Sequence, residues 1–227
     1  MRAIVSFILG LLMISAVRGQ ELRTDISYAY MYASEWDKAI QVYNFSRPFL
    51  QDKQPLLIHG MQSSVAKIWA SDAAIRHGLD LSYAQFRSVS RESQFRNVLH
   101  LHFMKLGYIL QYVPNRMKGR VYSELQAGVV SSVLFRNLEG SAFQIDERGI
   151  RSMGIGGECG IKAGYYAMRS ARHAVSIYIQ LRCMPYVYSP GMEGILNQTR
   201  GVSSRAGSSV WILQGGIAVH FLSGKKD

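Results

Sequence analysis

Cysteine is almost missing from this chain. Its 227 residues include two, too few for a disulfide scaffold, and neither belongs to a Cys-x-x-Cys pair, so a cysteine-based zinc site is excluded as well. Charge is sparse. Asp, Glu, Lys and Arg make up 18% of the residues, below the roughly 25% of an average soluble domain, while a hydrophobic content of 48% argues against a disordered chain. Acidic residues are the scarcer sign, 15 against 26 basic ones, for a formal charge of +11. Beyond the N-terminus no apolar run reaches the roughly 20 residues that a spanning helix requires. These absences leave a soluble β or α/β protein, or a membrane protein made of strands.

The N-terminus narrows the choice. Arg2 precedes an apolar stretch over residues 3–17, interrupted only by small residues such as Ser6, Gly10 and Ser15, and Gly19 follows at a plausible cleavage point. A basic start, a short apolar centre and a small residue at the end predict a secretory signal over residues 1–19, with Gln20 as the new N-terminus of a domain spanning 20–227. No cysteine follows the apolar stretch, so a lipoprotein anchor is not supported. Cleavage removes Arg2 and Arg18, leaving 24 basic against 15 acidic side chains, a formal +9.

After Gly19 the sequence alternates. Met153, Ile155, Gly157, Cys159, Ile161, Ala163 and Tyr165 fall on one face of a pleated segment; Gly154, Gly156, Glu158, Gly160, Lys162, Gly164 and Tyr166 fall on the other. Val175, Ile177, Ile179, Leu181, Cys183 and Val187 alternate with Ser176, Tyr178, Gln180, Arg182 and Tyr186. Trp211, Leu213, Ile217, Val219 and Phe221 alternate with Val210, Ile212, Gln214, Gly216 and His220. A period of two means strands, and the glycine content of these stretches would penalise helix heavily. The pattern predicts eight segments, near 25–46, 56–70, 78–91, 95–113, 120–136, 150–168, 172–188 and 205–223, with a turn or helical piece at 34–40. Connections at 71–77, 114–119 and 169–171 are short, whereas 137–149 and 189–204 are long; 45–55 is intermediate, and the short 92–94 breaks the pattern once.

An even strand count, both termini on the short-turn side and longer loops opposite predict an all-β fold. It is a single antiparallel transmembrane β-barrel of about eight strands in the outer membrane. In hydrocarbon every backbone amide must bond within the protein, so a spanning sheet has to close on itself. A soluble sandwich or lipocalin-like barrel also alternates, but its polar face meets water and carries more charge than these faces of Gly, Ser, Gln, Tyr and isolated ions. The residues carry a resemblance too. Trp36-Asp37-Lys38-Ala39-Ile40-Gln41, Tyr43-Asn44-Phe45-Ser46-Arg47-Pro48 and Lys53-Gln54-Pro55-Leu56-Leu57 resemble the opening of small outer-membrane β-barrel proteins from Bacteroidota, as do Asn197-Gln198-Thr199 and Gly215-Gly216-Ile217. The resemblance covers most of the mature chain. It implies location and fold and no catalytic residue. Many such barrels end on an aromatic; Phe221 matches in type but is followed by residues 222–227.

Chemistry concentrates on the inward parity. If Cys159 faces Cys183, Gly160 lies beside Arg182, Lys162 beside Gln180 and Glu158 diagonal to Arg182, with Glu124 and Gln126 sharing that face. Buried charges need partners, so Glu124, Glu158, Lys162 and Arg182 are expected to form a polar network filling the lumen, or else to line a narrow ion path. The two cysteines would then be neighbours on the outward face, either as a disulfide or as two reduced thiols. His100 and His102 share a face, but no third ligand is placed by sequence, and His173 with Ser176 lacks an acid. No cofactor, metal or catalytic residue is predicted. Arg47, Lys53, Arg87, Arg91, Arg96, Arg200 and Arg205 on the loop side, and Arg76, Arg116, Lys118, Arg120, Arg169, Arg172, Lys225 and Lys226 on the turn side, suit outer-membrane lipids and lipopolysaccharide phosphates; no nucleic-acid motif accompanies them. Tyr28, Tyr30, Tyr32, Tyr108, Tyr112, Tyr186, Tyr188 and Trp211 are candidates for aromatic girdles. The expected role is structural or surface-interacting and non-enzymatic, with the long loops as a binding face for an extracellular ligand. A narrow pore for small solutes and a lipid A-modifying barrel enzyme are the rivals.

Overall fold

Strand residues alternate along nearly the whole described chain, and each strand finds its partner in the next. The computed structural model describes residues 20–47, 52–69, 74–92, 95–114, 120–140, 151–170, 172–187 and 208–222, with backbone alone for Glu92, Phe95, residues 138–140, Arg151, Ser152, Tyr186 and Ser208. The predicted signal lies outside them. The elements are β1 (Gln20–Ala33), α1 (Ser34–Phe45), β2 (His59–Trp69), β3 (Ile75–Glu92), β4 (Phe95–Tyr112), β5 (Val121–Gly140), β6 (Arg151–Arg169), β7 (His173–Val187) and β8 (Ser208–Leu222). All neighbours are antiparallel, and β8 returns to β1 from Glu21↔Leu222 to Ala33↔Val210, closing an eight-stranded barrel without an edge.

The first element differs from expectation at both ends. β1 starts at Gln20 and stops at Ala33, so the alternation of Glu21, Arg23 and Asp25 against Leu22, Thr24 and Ile26 belongs to the sheet. The chain then turns helical because Trp36, Ile40 and Tyr43 recur at helical spacing and bury together. Glu35 and Asp37 stand in the first turn, where the helix dipole favours acids. The helix ends where the Ser46 amide donates to the Val42 carbonyl (2.9 Å) and its hydroxyl to the Tyr43 carbonyl (3.0 Å). Residues 56–58, expected at the start of the second strand, belong to the connection instead. Val187, placed by period on the outward face, is buried in the lumen. A register shift between Met184 and Val187 flips it, and Pro185, which has no N–H for the ladder, sits in that bulge.

The barrel is inverted relative to a soluble one. Its outward positions are apolar and exposed: Ile26 on β1, Leu79 on β3, Met104 and Leu106 on β4, Leu125 and Val129 on β5, Ile155 and Ile161 on β6, Ile177 and Ile179 on β7, Leu213 and Ile217 on β8. Tyr28, Tyr30, Tyr32, Tyr83 and Trp211 ring the loop-side margin of this belt; Trp69, Tyr108, Tyr112, Tyr165 and Phe221 ring the turn side. On β8 the belt occupies residues 211–221, a length that crosses a bilayer when the strand is tilted. An exterior so apolar, over a sheet with no free edge, makes the fold a transmembrane β-barrel. Tyr186 and Tyr188 lie outside the described side chains.

The interior has two storeys. Near the termini and short turns it is polar. Towards the loop side it is apolar, built by Ala29, Met31, Phe86, Leu99, Leu101, Phe103, Val130, Leu134, Met184, Val210 and Ile212 around Trp36, Ile40 and Tyr43 of α1. The expectation of a polar face throughout fails for this upper storey, because an inserted helix replaces water there and needs apolar walls.

Candidate functional site, a salt-bridged lumen beneath an inserted helix

Every strand contributes to the polar storey. Arg182 on β7 clasps Glu158 on β6 with two bonds, Nε to Oε1 at 2.8 Å and a second from Nη2 to Oε2. Glu158 also meets Lys105 of β4 (3.2 Å), which pairs with Asp80 of β3 (2.9 Å). Arg182 reaches on to Gln62 of β2, whose oxygen also accepts from Gln214 of β8 (2.6 Å). A second group centres on β1 and β5. Arg23 binds Glu124, which accepts from Gln111 (2.9 Å) and Gln126 (3.2 Å). Asp25 holds Lys162 (3.0 Å) and accepts from the Tyr178 hydroxyl (3.0 Å), while the Lys162 ammonium lies 3.6 Å from the Tyr178 ring centre. Gln126 joins the two groups, accepting from Lys105 (2.8 Å) and Gln180 (2.9 Å).

The structure thus places all four sequence-derived lumen residues, Glu124, Glu158, Lys162 and Arg182, inside the barrel and buried. Their direct ion pairs are separate: Glu158 goes with Arg182, Lys162 goes with Asp25, and Glu124 goes with Arg23, and these pairs are linked into one network through Gln126 and Lys105. The register pairs Cys159↔Cys183, Gly160↔Arg182 and Lys162↔Gln180 are present. Sequence reasoning missed Glu21, Arg23, Asp25, Arg76, Asp80 and Lys105, all buried. Their signal was available as ions at inward parity in otherwise apolar strands. With them, five acids (Glu21, Asp25, Asp80, Glu124, Glu158) face five bases (Arg23, Arg76, Lys105, Lys162, Arg182), so the storey balances its charge. A buried ion left alone would cost several kcal/mol, about 3–5 where one partner is removed, so the balance is a condition of the fold.

At the turn-side end, Arg76 pairs with Glu21 (2.9 Å), whose other oxygen meets His220 Nδ1 (2.6 Å); His220 Nε2 contacts the Ser176 hydroxyl (2.8 Å), and that hydroxyl meets Tyr122 OH (3.0 Å). The order of serine, histidine and acid is that of a hydrolase, and it involves neither His173 nor an exposed serine. Ser176 and His220 are nevertheless fully buried. Tyr122 and Tyr166 pack beside the imidazole. The chain acts as a hydrogen-bond relay that closes the barrel floor. Gly164 makes room for it: a Cβ there would fall within the Tyr122 ring. Arg76, expected at the rim, is drawn inside by Glu21.

Described residues of the β1–β2 connection, α1 with Leu57, pack into the upper mouth. Trp36 stacks on Phe103 with ring centres 6.4 Å apart. The chain returns through Gln54, which is buried and bonds Ser88 (2.6 Å), Ser90 (2.7 Å) and Asn97 (2.9 Å) near the loop-side ends of β3 and β4. Asn97 in turn accepts from Arg136 Nε (2.6 Å). Asn44 pins this return with two bonds to the Gln54 backbone, at 2.9 and 2.8 Å.

On the outer wall, Cys159 and Cys183 are register partners held as free thiols, with no disulfide between them. His100 and His102 lie flat against Phe135, with ring centres 4.8 and 5.1 Å from it, and His59 bonds Tyr28 (2.5 Å) on another strand. Among the described residues no group of three His, Cys, Asp or Glu side chains is arranged to hold a metal.

No protein family profile matches the sequence, and no curated protein matches it. Solved structures do. Neisserial surface protein A is 12% identical over 88% of this chain and 96% of its own, with a TM-score of 0.47. Ail, the attachment invasion locus protein of Yersinia pestis, in complex with the heparin analogue sucrose octasulfate, is 9% identical over 90% of this chain and 100% of its own, at 0.48. The outer membrane protein OprG of Pseudomonas aeruginosa is 13% identical over 90% and 97%, at 0.39. The likeness extends to barrel architecture and no further. The architecture itself, a closed small barrel with an apolar exterior, is that of an outer-membrane protein.

Proposed function

We propose that the mature chain, beginning near Gln20 after removal of a signal over residues 1–19, is a non-enzymatic outer-membrane barrel with a structural or surface-interaction role. The observation that carries this reading is the lumen. Among the described residues its lower storey is crossed by paired ions from opposite walls and its upper storey holds α1, which supports a side-chain-filled lumen over an open path. The rim cations favour outer-membrane lipids and lipopolysaccharide. The connections expected over 137–149 and 189–204 are the proposed binding face for an extracellular ligand; residues 137–140 belong to β5, and the rest lie outside the described residues. The narrower kinship with Bacteroidota barrels belongs to this proposal too; the solved neighbours named above lend it no support.

Planar-bilayer recording of the refolded mature chain tests the reading. A flat baseline is expected across the voltage range, and steady unitary steps would replace a sealed barrel with a pore.

A further inference from the structure

The outward face of the β3–β4 hairpin carries cations where the apolar belt ends. Tyr83↔Met104 is the top row of the continuous apolar belt; the rows above are Gln85↔His102, Arg87↔His100, the apolar Val89↔Val98 and Arg91↔Arg96. Register partners project to the same face, so Arg91 and Arg96 stand directly opposite one another, and like charges in that position destabilise a ladder. Arg87, Arg91 and Arg96 are exposed, and among the described residues none makes an ion pair. Acids by register are few. Glu139 is opposite Arg96 on β5, and the Asp52 amide donates to the Arg91 carbonyl (3.3 Å). The Arg87 row continues through His100 to Phe135 with no acid.

We propose that this strip is a binding site for a lipid headgroup bearing two phosphates, seated in the loop-side leaflet. The proposal rests on the barrel being in the outer membrane. Its argument is level and spacing. Arg87 lies two rows above the top of that belt, at headgroup depth, and four residues separate it from Arg91, about 13 Å along a strand. Two anionic groups on one headgroup would answer the two cationic rows, and the upper phosphate would relieve the Arg91–Arg96 repulsion. Guanidinium forks bind phosphate oxygens in pairs, and the exposed Val89 between the rows offers a contact for an apolar sugar face or acyl stem. A free phosphate ion would gain the same charges but not the belt below, so the lipid is the occupant.

The mature barrel, reconstituted in phosphatidylcholine nanodiscs doped with bisphosphorylated or dephosphorylated lipid A, tests this by native mass spectrometry of retained lipid. Wild type is expected to retain the bisphosphorylated form selectively. An Arg87→Gln, Arg91→Gln, Arg96→Gln variant is expected to lose more than about tenfold of that retention, whereas Arg120→Gln with Arg169→Gln, on the opposite rim, keeps it. Equal retention by wild type and the triple variant would overturn the site, as would complete displacement of the lipid by inorganic phosphate. Heat-modifiable gel mobility, read on the same samples, separates the two failures: its absence in wild type refutes the membrane barrel itself, while its presence with unselective retention refutes only the strip.

Discussion

Arg182 shows how far single residues determine this lumen. Its guanidinium is the main partner of Glu158 and the tie to Gln62, so Arg182→Ala leaves Glu158 with Lys105 alone. Urea titration of the barrel folded into vesicles should show a loss of about 3–5 kcal/mol. The double variant Glu158→Gln, Arg182→Met removes both charges and should recover most of it, because replacing a buried pair by neutral groups is often close to neutral. A cost no smaller in the double than in the single variant would deny that the pair acts as a pair. The thiols give a second residue-scale prediction. Cys159 and Cys183 are directly opposed and stand as free thiols in the structure; we propose that export to an oxidising compartment oxidises the pair to a disulfide. Protein isolated without reductant should yield no thiol label in denaturant until reduced; two labelled cysteines would refute the disulfide. Parity alone located Glu124, Glu158, Lys162 and Arg182 in the lumen. The pairing of Glu158 with Arg182 was legible from the register; the partners of Lys162 and Glu124 were not, because pairs such as Lys162 with Asp25 join strands far apart in sequence, and only closure of the barrel brings them together.

Among the elements, α1 was the hardest to read. Trp36, Ile40 and Tyr43 have helical spacing, yet they follow directly on strand alternation, and a twelve-residue helix has little intrinsic stability in water. Its walls decide the matter. Leu99, Leu101 and Phe103 are apolar on the inward face of β4, where a polar lumen would have carried polar residues. Trp36 anchors the helix through Phe103, so Trp36→Ala should cost about 3–5 kcal/mol by the same titration. Quenching of the remaining tryptophans should change little, since Trp69 and Trp211 lie on the outer wall. A loss below about 1 kcal/mol would mean that the helix rests on the mouth without being packed into it. The strands were easier. From the second onward their predicted limits fall within a few residues of the observed ones, because exterior lipid contact and interior packing impose opposite chemistry on alternate positions.

For the molecule as a whole, eight strands paired with sequence neighbours leave one long-range step, the seam between β1 and β8, and the sealing proposed for the lumen depends on what that seam brings in. β1 carries Glu21, Arg23 and Asp25 into the polar storey and, through α1, the plug of the apolar storey, so both closures depend on the same strand and lie in series along the axis. Opening one should not open the barrel. Replacing residues 34–45 by a Gly/Ser linker removes the upper closure while the ions beneath still bridge the walls, and bilayers should stay silent. Arg23→Ala with Glu124→Ala loosens the lower closure while α1 still fills the mouth, and silence is again expected. Only the combination joins the two spaces, and it should give unitary steps. Conductance from the linker variant alone would show that the paired ions are no seal, and the lumen would then have to be read as a gated path with α1 as its gate.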